Sequence, residues 1–192
     1  SFLTNESGGV IDDLMVTNRG DHFQLVVNAA TKEADLAHLR SHLTGLEVSD
    51  LLPTAILAIQ GPEAVAVVAD LAPKVAGLAF SHGASITLAG AEVWASRSGY
   101  TGEDGLELVM DADGVEAVAQ LLLADARVAL AGLAARDSLR LEAGLCLYGH
   151  DLSEGISPVE AGLTWAMQKR RREEGGFPGD EVILQQLADG PP

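Results

Sequence analysis

Apolar and polar positions along the chain change period several times, and each change predicts an element. Val10-Ile11-Asp12-Asp13-Leu14-Met15-Val16 reads as one strand interrupted by two carboxylates. Asn18-Arg19-Gly20-Asp21 turns it into a second strand, Phe23 to Val27, giving a β-hairpin. From Thr31, a candidate N-cap, Ala34, Leu36, Leu39 and Leu43 recur at helical spacing until Gly45 stops the helix. A short strand is expected at Leu46 to Val48. The continuous apolar run Ala55 to Ile59 predicts a buried strand, and Gln60-Gly61-Pro62-Glu63 then starts a helix carrying Val65, Val68 and Leu71. Ser85 to Leu88 and Glu92 to Ser96 flank the tight turn Ala89-Gly90-Ala91, a second hairpin. A loop rich in glycine and hydroxyl groups, Ser98 to Gly105, leads into the strand Leu106 to Met110, after which Asp113 caps a helix through Leu123. Gly132 to Ala143 reads as helix, and the tail ends in a helix started by Pro178 and closing near Leu187. Hairpins joined by helices, without regular strand-helix-strand repetition, predict an α+β fold of antiparallel sheets with flanking helices.

Composition narrows what such a scaffold does. Apolar residues make up 47% of the 192 positions, enough to bury a core in one large or two small domains. Twelve Lys and Arg stand against 28 Asp and Glu, a formal net charge of −16. That field repels a phosphate backbone and argues against sequence-independent nucleic-acid binding. No apolar run approaches the roughly 20 residues that span a bilayer, and the first residues lack the basic-then-apolar pattern of a signal peptide, so no membrane association is expected. The lone Cys146 forms neither an internal disulfide nor a cysteine zinc cage, fits a reducing compartment, and is expected to be a small buried apolar residue between Leu145 and Leu147. A chain beginning at Ser1 without Met is expected to be a fragment.

Candidate chemistry gathers at a few places. Asp12 and Asp13 are neighbours on a strand, so their side chains point to opposite faces and one of them is expected to point inward. A carboxylate among Val10, Ile11, Leu14 and Val16 is partly desolvated and suited to proton transfer or to stabilising a cation; the alternative is a pair of solvated aspartates at a hairpin end. Glu107, on the apolar strand after the glycine-rich loop, either faces solvent by simple alternation or offers two oxygens to a pair of parallel N–H donors such as a pterin edge. Gly99, Gly102 and Gly105 match neither the dinucleotide nor the P-loop pattern. On the helix from Gly132, Arg136 and Arg140 share a face and Asp137 is placed to pair with Arg140; Arg136 either belongs to that salt-bridged surface or fixes a planar or anionic ligand. His38 and His42, at i,i+4 spacing without an intervening glutamate motif, read as a helix face and not as a metal site. Lys169 to Arg172 is the only basic run, either a guide for an acidic partner or a solvated strip.

Five strings occur together in one order. They are Gly8-Gly9-Val10-Ile11-Asp12-Asp13-Leu14, Gln60-Gly61-Pro62, the run from Ser98 to Glu107, the run from Gly132 to Gly144, and Ile156-Ser157-Pro158-Val159-Glu160. Together they resemble the aminomethyltransferase (T-protein) family of the glycine cleavage system, and the resemblance runs end to end. It implies a tetrahydrofolate-dependent transfer, with the aminomethyl group carried on the lipoyl arm of the H-protein as donor, ammonia released, and 5,10-methylenetetrahydrofolate formed without a metal. By position in the motif, Asp13 matches the family's catalytic aspartate and Asp12 becomes a structural neighbour. Glu107 and Arg136 match folate-contacting residues, and Tyr100, in the same loop, is a candidate ligand contact or a core tyrosine. The resemblance makes residues 1–192 a partial folate-binding region, with the start of the first lobe and a C-terminal barrel-like domain outside it. It places such a protein in the bacterial cytoplasm or, in a eukaryote, the mitochondrial matrix. Two rivals share the fold: a non-catalytic folate-binding fragment, and the folate-binding part of a dimethylglycine or sarcosine dehydrogenase-like protein, whose flavin-binding fingerprint is not found here.

Overall fold

The run from Val10 to Val16 forms two strands and not one. In a computed structural model that describes residues 1–51 and 53–192, β1 (Phe2–Thr4) pairs antiparallel with β2 (Val10–Asp13). β3 (Met15–Asn18) pairs antiparallel with β4 (Phe23–Val26). Leu14 is the break: its N–H donates to the Ser1 carbonyl at 2.9 Å, after which the chain leaves one ladder for the next. Local pattern shows an extended run but not the change of partner, because both ladders favour the same apolar residues.

The chain divides into two units, Ser1–Ser49 with Cys146–Pro192, and Asp50–Leu145. In the first, β4 leads through Asn28 into α1 (Lys32–His42). Thr31 holds the N-cap position, but its hydroxyl donates to the Asn28 carbonyl at 3.1 Å and accepts from no helix N–H. His38 and His42 share a face of α1, with ring centroids 4.2 Å apart. The strand expected at Leu46 to Val48 is not formed; the segment is largely exposed, and the Arg40 guanidinium takes the Val48 carbonyl at 3.3 Å in place of a neighbouring strand.

The second unit is a four-stranded antiparallel sheet of order β5-β8-β7-β6, built from β5 (Thr54–Gln60), β6 (Gly83–Leu88), β7 (Ala91–Ser96) and β8 (Gly105–Asp111). The expected hairpin is present: Ala89 and Gly90 both have positive φ, +48° and +81°, which suits the right-handed twist of the flanking strands. Leu106, Leu108 and Met110 point to one face of β8 and are buried with Val67 and Val68 of α2 (Ala64–Leu71) and Val118 and Leu122 of α3 (Val115–Leu123). Period-2 strands and period-3.6 helices meet there in one apolar layer. Asp113 does not cap α3; it lies in a 3₁₀ turn, Ala112–Gly114, and the N-cap is Gly114. α4 (Leu133–Glu142) follows the expected span, with only Arg140 buried along it.

The tail returns to the first unit. Cys146 is half-buried and not fully enclosed. The basic run forms α5 (Lys169–Glu174), in which Lys169 faces Glu173 at 3.6 Å and Arg171 donates to the Gly175 and Gly176 carbonyls. α6 (Asp180–Asp189) begins two residues after Pro178 and buries Ile183. Val10 donates to two carbonyls of this tail, Ser153 at 3.1 Å and Ile156 at 3.0 Å. At Gly9 a Cβ would run into the Glu154 backbone carbonyl, which these bonds hold in place. Gly9→Ala is therefore expected to destabilise the chain by about 1–3 kcal/mol, the cost of forcing extra volume into a packed site, read as a lower urea midpoint with an unchanged m-value.

Candidate functional site

In the first unit, the candidate chemistry lies on β2. Alternation buries Asp12 completely and leaves Asp13 half-buried. Opposite faces do not separate them here, because both meet one residue. The Asn28 N–H donates to Asp12 Oδ2 at 3.1 Å, and Asn28 Nδ2 reaches Asp12 Oδ1 at 2.8 Å and Asp13 Oδ1 at 3.0 Å. Asn28 Nδ2 also lies 3.2 Å from the Asp13 carbonyl, so its two hydrogens are shared among three acceptors. Burial pushes the Asp13 carboxyl above the ordinary aspartate value, with the Asn28 hydrogen bond pulling the other way and Asp12 adding to the rise. Tyr148, on the loop after Cys146, is also pushed up, first by burial and then by Glu154, Asp12, Asp35 and Asp13. Sequence reading did not single out Asn28 or Tyr148. The available signal was a polar residue directly after an apolar strand, which looks like any strand end.

In the second unit, Gln60 organises the glycine-rich loop. Its Nε2 donates to the Ser98 carbonyl at 3.0 Å and the Leu106 carbonyl at 3.3 Å, and its Oε1 accepts from the Thr101 hydroxyl at 3.1 Å. A Cβ at Gly99 would overlap this amide, so the glycine lets the loop close on Gln60. Asp104 serves the loop as well: Arg97 grips it with two nitrogens and donates a third bond to the Leu78 carbonyl at 2.7 Å, and this pairing holds the Asp104 carboxyl below its ordinary value. Glu107 lies on the sheet face opposite Leu106 and Leu108, half-buried and not fully solvated. It accepts the Ser98 hydroxyl at 2.6 Å on Oε2, and among the described residues Oε1 has no donor. One oxygen anchors the side chain while the other stays available to a ligand N–H. The Arg136 guanidinium lies over the Tyr100 ring, 5.0 Å from its centroid, in a cation–π contact. Arg140 turns inward, bonded to Asp137 Oδ1 at 2.9 Å and to the Leu145 carbonyl at 3.2 Å, so it fixes the helix end and leaves Arg136 outside. The structure thus brings Arg136 to Tyr100 and Glu107 to Ser98, and places Asp13 in the other unit. Among the described residues no group of His, Cys, Asp and Glu is arranged to hold a metal ion, and no helix is long and apolar enough to cross a membrane.

Strand order and pairing define a mixed α+β protein built on antiparallel sheets. Residues 1–171 match the model of the GCVT N-terminal domain, and the chain belongs to that family. It is 48% identical to the mitochondrial aminomethyltransferase of Pisum sativum, covering all of this chain and 50% of that protein. It is 46% identical to the probable mitochondrial aminomethyltransferase of Schizosaccharomyces pombe, covering all of this chain and 51% of that one. The crystal structure of the glycine cleavage system aminomethyltransferase T from Bartonella henselae superposes with a TM-score of 0.90 at 44% identity, over the whole of this chain and 53% of that one. The chain spans about half the length of the curated relatives it matches.

Proposed function

We propose that residues 1–192 are the folate-binding region of an aminomethyltransferase, part of a protein that moves an aminomethyl group from the lipoyl arm of an H-protein to tetrahydrofolate and releases ammonia. The observation that carries this reading is the half-buried Asp13 carboxylate, fixed by Asn28 and backed by the buried Asp12. A carboxylate held still in a part-desolvated place stabilises positive charge that develops during transfer, because it does not have to reorganise when the charge appears. Tetrahydrofolate supplies the accepting amine. Glu107 fits its pterin edge, since Oε2 is anchored by Ser98 and Oε1 has no donor among the described residues, and the Arg136–Tyr100 pair fits a flat ring or the anionic end of the molecule. No metal is invoked. The proposed partner is a lipoylated H-protein, and the proposed compartment is the cytoplasm of a bacterium or the mitochondrial matrix of a eukaryote; no nucleic acid or membrane enters the reaction.

The test is a titration of the 192-residue chain with tetrahydrofolate under anaerobic, reducing conditions, followed by Trp94 and Trp165 fluorescence and by calorimetry. Saturable binding is expected. Glu107→Ala removes charge-assisted hydrogen bonds worth about 1.5–3 kcal/mol, so its affinity is expected to fall roughly 10- to 100-fold. Equal affinity in wild type and Glu107→Ala would remove Glu107 from the site, and absence of binding by the folded chain would make the proposed role one of ancestry only.

A further inference from the structure

Behind Asp12 lies a second buried carboxyl that the reaction described above does not use. Asp35, on the first turn of α1, is 1% exposed, and among the described residues neither of its side-chain oxygens has a hydrogen-bond donor. Its side chain meets the side chain of Asp12, itself 0% exposed. The Thr31 hydroxyl is also beside it, yet that hydroxyl gives its proton to the Asn28 carbonyl. Two buried carboxylates in contact with no cation between them repel each other strongly, and a group with no donors gains nothing from being charged. Placing one proton between them removes both costs: the neutral acid becomes a donor, and the ionised partner accepts. Asp12 is the partner that has donors of its own, from the Asn28 N–H and Nδ2. The proton therefore belongs on Asp35.

We propose that Asp35 holds a proton and donates it in a hydrogen bond to Asp12, and that this acid–carboxylate pair fixes Asn28, which in turn aims the Asp13 carboxylate. Asp35 is then a positioning residue at two removes from Asp13. The connection is continuous: Asp35 to Asp12, Asp12 to both nitrogens of Asn28, and Asn28 Nδ2 to Asp13. Burial first, and Asp12 after it, raise the Asp35 carboxyl to about 6. A raised value in the folded state means that the fold binds the proton more tightly than the unfolded chain. The resulting stability is complete below the ordinary aspartate value and is lost as pH climbs through about 6. The titratable group that meets Asp35 is Asp12 on β2, and Tyr148, on the loop after Cys146, feels Asp35, Asp12 and Asp13. His38, further along α1, is held below its ordinary value by burial and by His42.

The consequence for turnover rests on the role proposed for Asp13, but the proton and its coupling to Asn28 do not, and the experiment separates the two. Infrared spectra and ¹⁵N NMR of the 192-residue chain are recorded from pH 5 to pH 8 for wild type and for Asp35→Asn, whose amide copies the neutral acid and its donor. In the wild type a protonated-carboxyl band is expected at pH 5 and lost by pH 8, and the Asn28 side-chain amide signals are expected to shift over the same range. Asp35→Asn is expected to fold, to lose the Asp35 component of the band, and to show a smaller pH-dependent shift of the Asn28 signals, the remainder coming from Asp13. The band reports carboxyl groups alone, so His38 does not contribute to it. Asp35→Leu, which offers no donor, is expected to disturb the Asn28 signals at every pH. A band of undiminished intensity in Asp35→Asn, or Asn28 signals indifferent to both variants, would overturn the proposal. If tetrahydrofolate does not bind the wild type, the transferase reading fails while these two readouts still decide the proton and the coupling.

Discussion

Asp13→Asn is expected to lower aminomethyl transfer by about 100- to 1,000-fold, the usual loss when one preorganised electrostatic contact to the reacting centre is removed, and to leave tetrahydrofolate affinity within a few-fold of wild type. The substitution keeps the shape of the side chain, and an amide oxygen still accepts from Asn28 Nδ2, so the ground-state pocket is preserved. What disappears is the negative charge, which is needed only where positive charge develops. Loss of kcat with little change in binding is the signature of an interaction made in the transition state. The pH profile gives a second check with a definite sign. Burial raises the Asp13 carboxyl above its ordinary value, so the ionised form, and with it the activity proposed for that form, is expected to be lost as pH falls through that raised value. The acid limb of the wild-type profile is therefore expected at higher pH than a solvated aspartate would give, and Asp13→Asn is expected to lack that limb. A variant with wild-type turnover would take Asp13 out of the reaction. The measurement uses a preparation with demonstrated transfer activity, supplied with aminomethylated H-protein and tetrahydrofolate.

Leu106→Ala is expected to cost about 2–5 kcal/mol of stability, the range for truncating a fully enclosed leucine whose surroundings cannot collapse onto the gap. Leu106 is completely buried on β8, among Ile59 of β5, Val67 and Val68 of α2, and the other buried residues of that layer. β8 is an inner strand, flanked by β5 and β7, so the backbone on either side is fixed by ladders and cannot close in. Thermal unfolding followed by circular dichroism reads the effect; at roughly 2–4 °C per kcal/mol for a chain of this size, the midpoint is expected to fall by on the order of 10 °C. The neighbouring residue makes the experiment informative about the site. Glu107 is set by the same register, paired with Ala58 and Ser96, so Leu106→Ala below its new midpoint is expected to bind tetrahydrofolate with unchanged affinity. A fall in stability of less than 1 kcal/mol would show that the layer repacks freely and does not hold the strand.

Which features were legible in the sequence follows from how local they are. The hairpin of β6 and β7, the strand–helix passage from β5 to α2, and the span of α4 were all readable, because alternation, turn residues and helical spacing are properties of neighbours along the chain. The Asp137–Arg140 pair was readable for the same reason, as a three-residue step along a helix. β1 was not, since three residues carry no period and only pairing with β2 defines them as a strand. The division of the run from Val10 to Val16 escaped because a change of partner at Leu14 leaves no mark in the hydrophobic pattern. The segment after α1 was misread, because Leu46 and Val48 are strand-forming residues that pair with no strand among the described residues.

The site divides along the same line. Sequence by itself determined the antiparallel α+β class and the acidic net charge, and it placed Asp13, Tyr100, Glu107 and Arg136 within the motif strings. Tertiary structure alone decided what each of them meets. Asn28 reaches Asp12 and Asp13 from 15 or more positions away, Gln60 holds a loop some 40 positions downstream, and Asp35 comes against Asp12 from a helix whose own pattern gives no reason for a buried acid. A periodic pattern records only whether a position is covered, while the protonation and aim of a carboxylate depend on what covers it, and those partners come from distant parts of the chain.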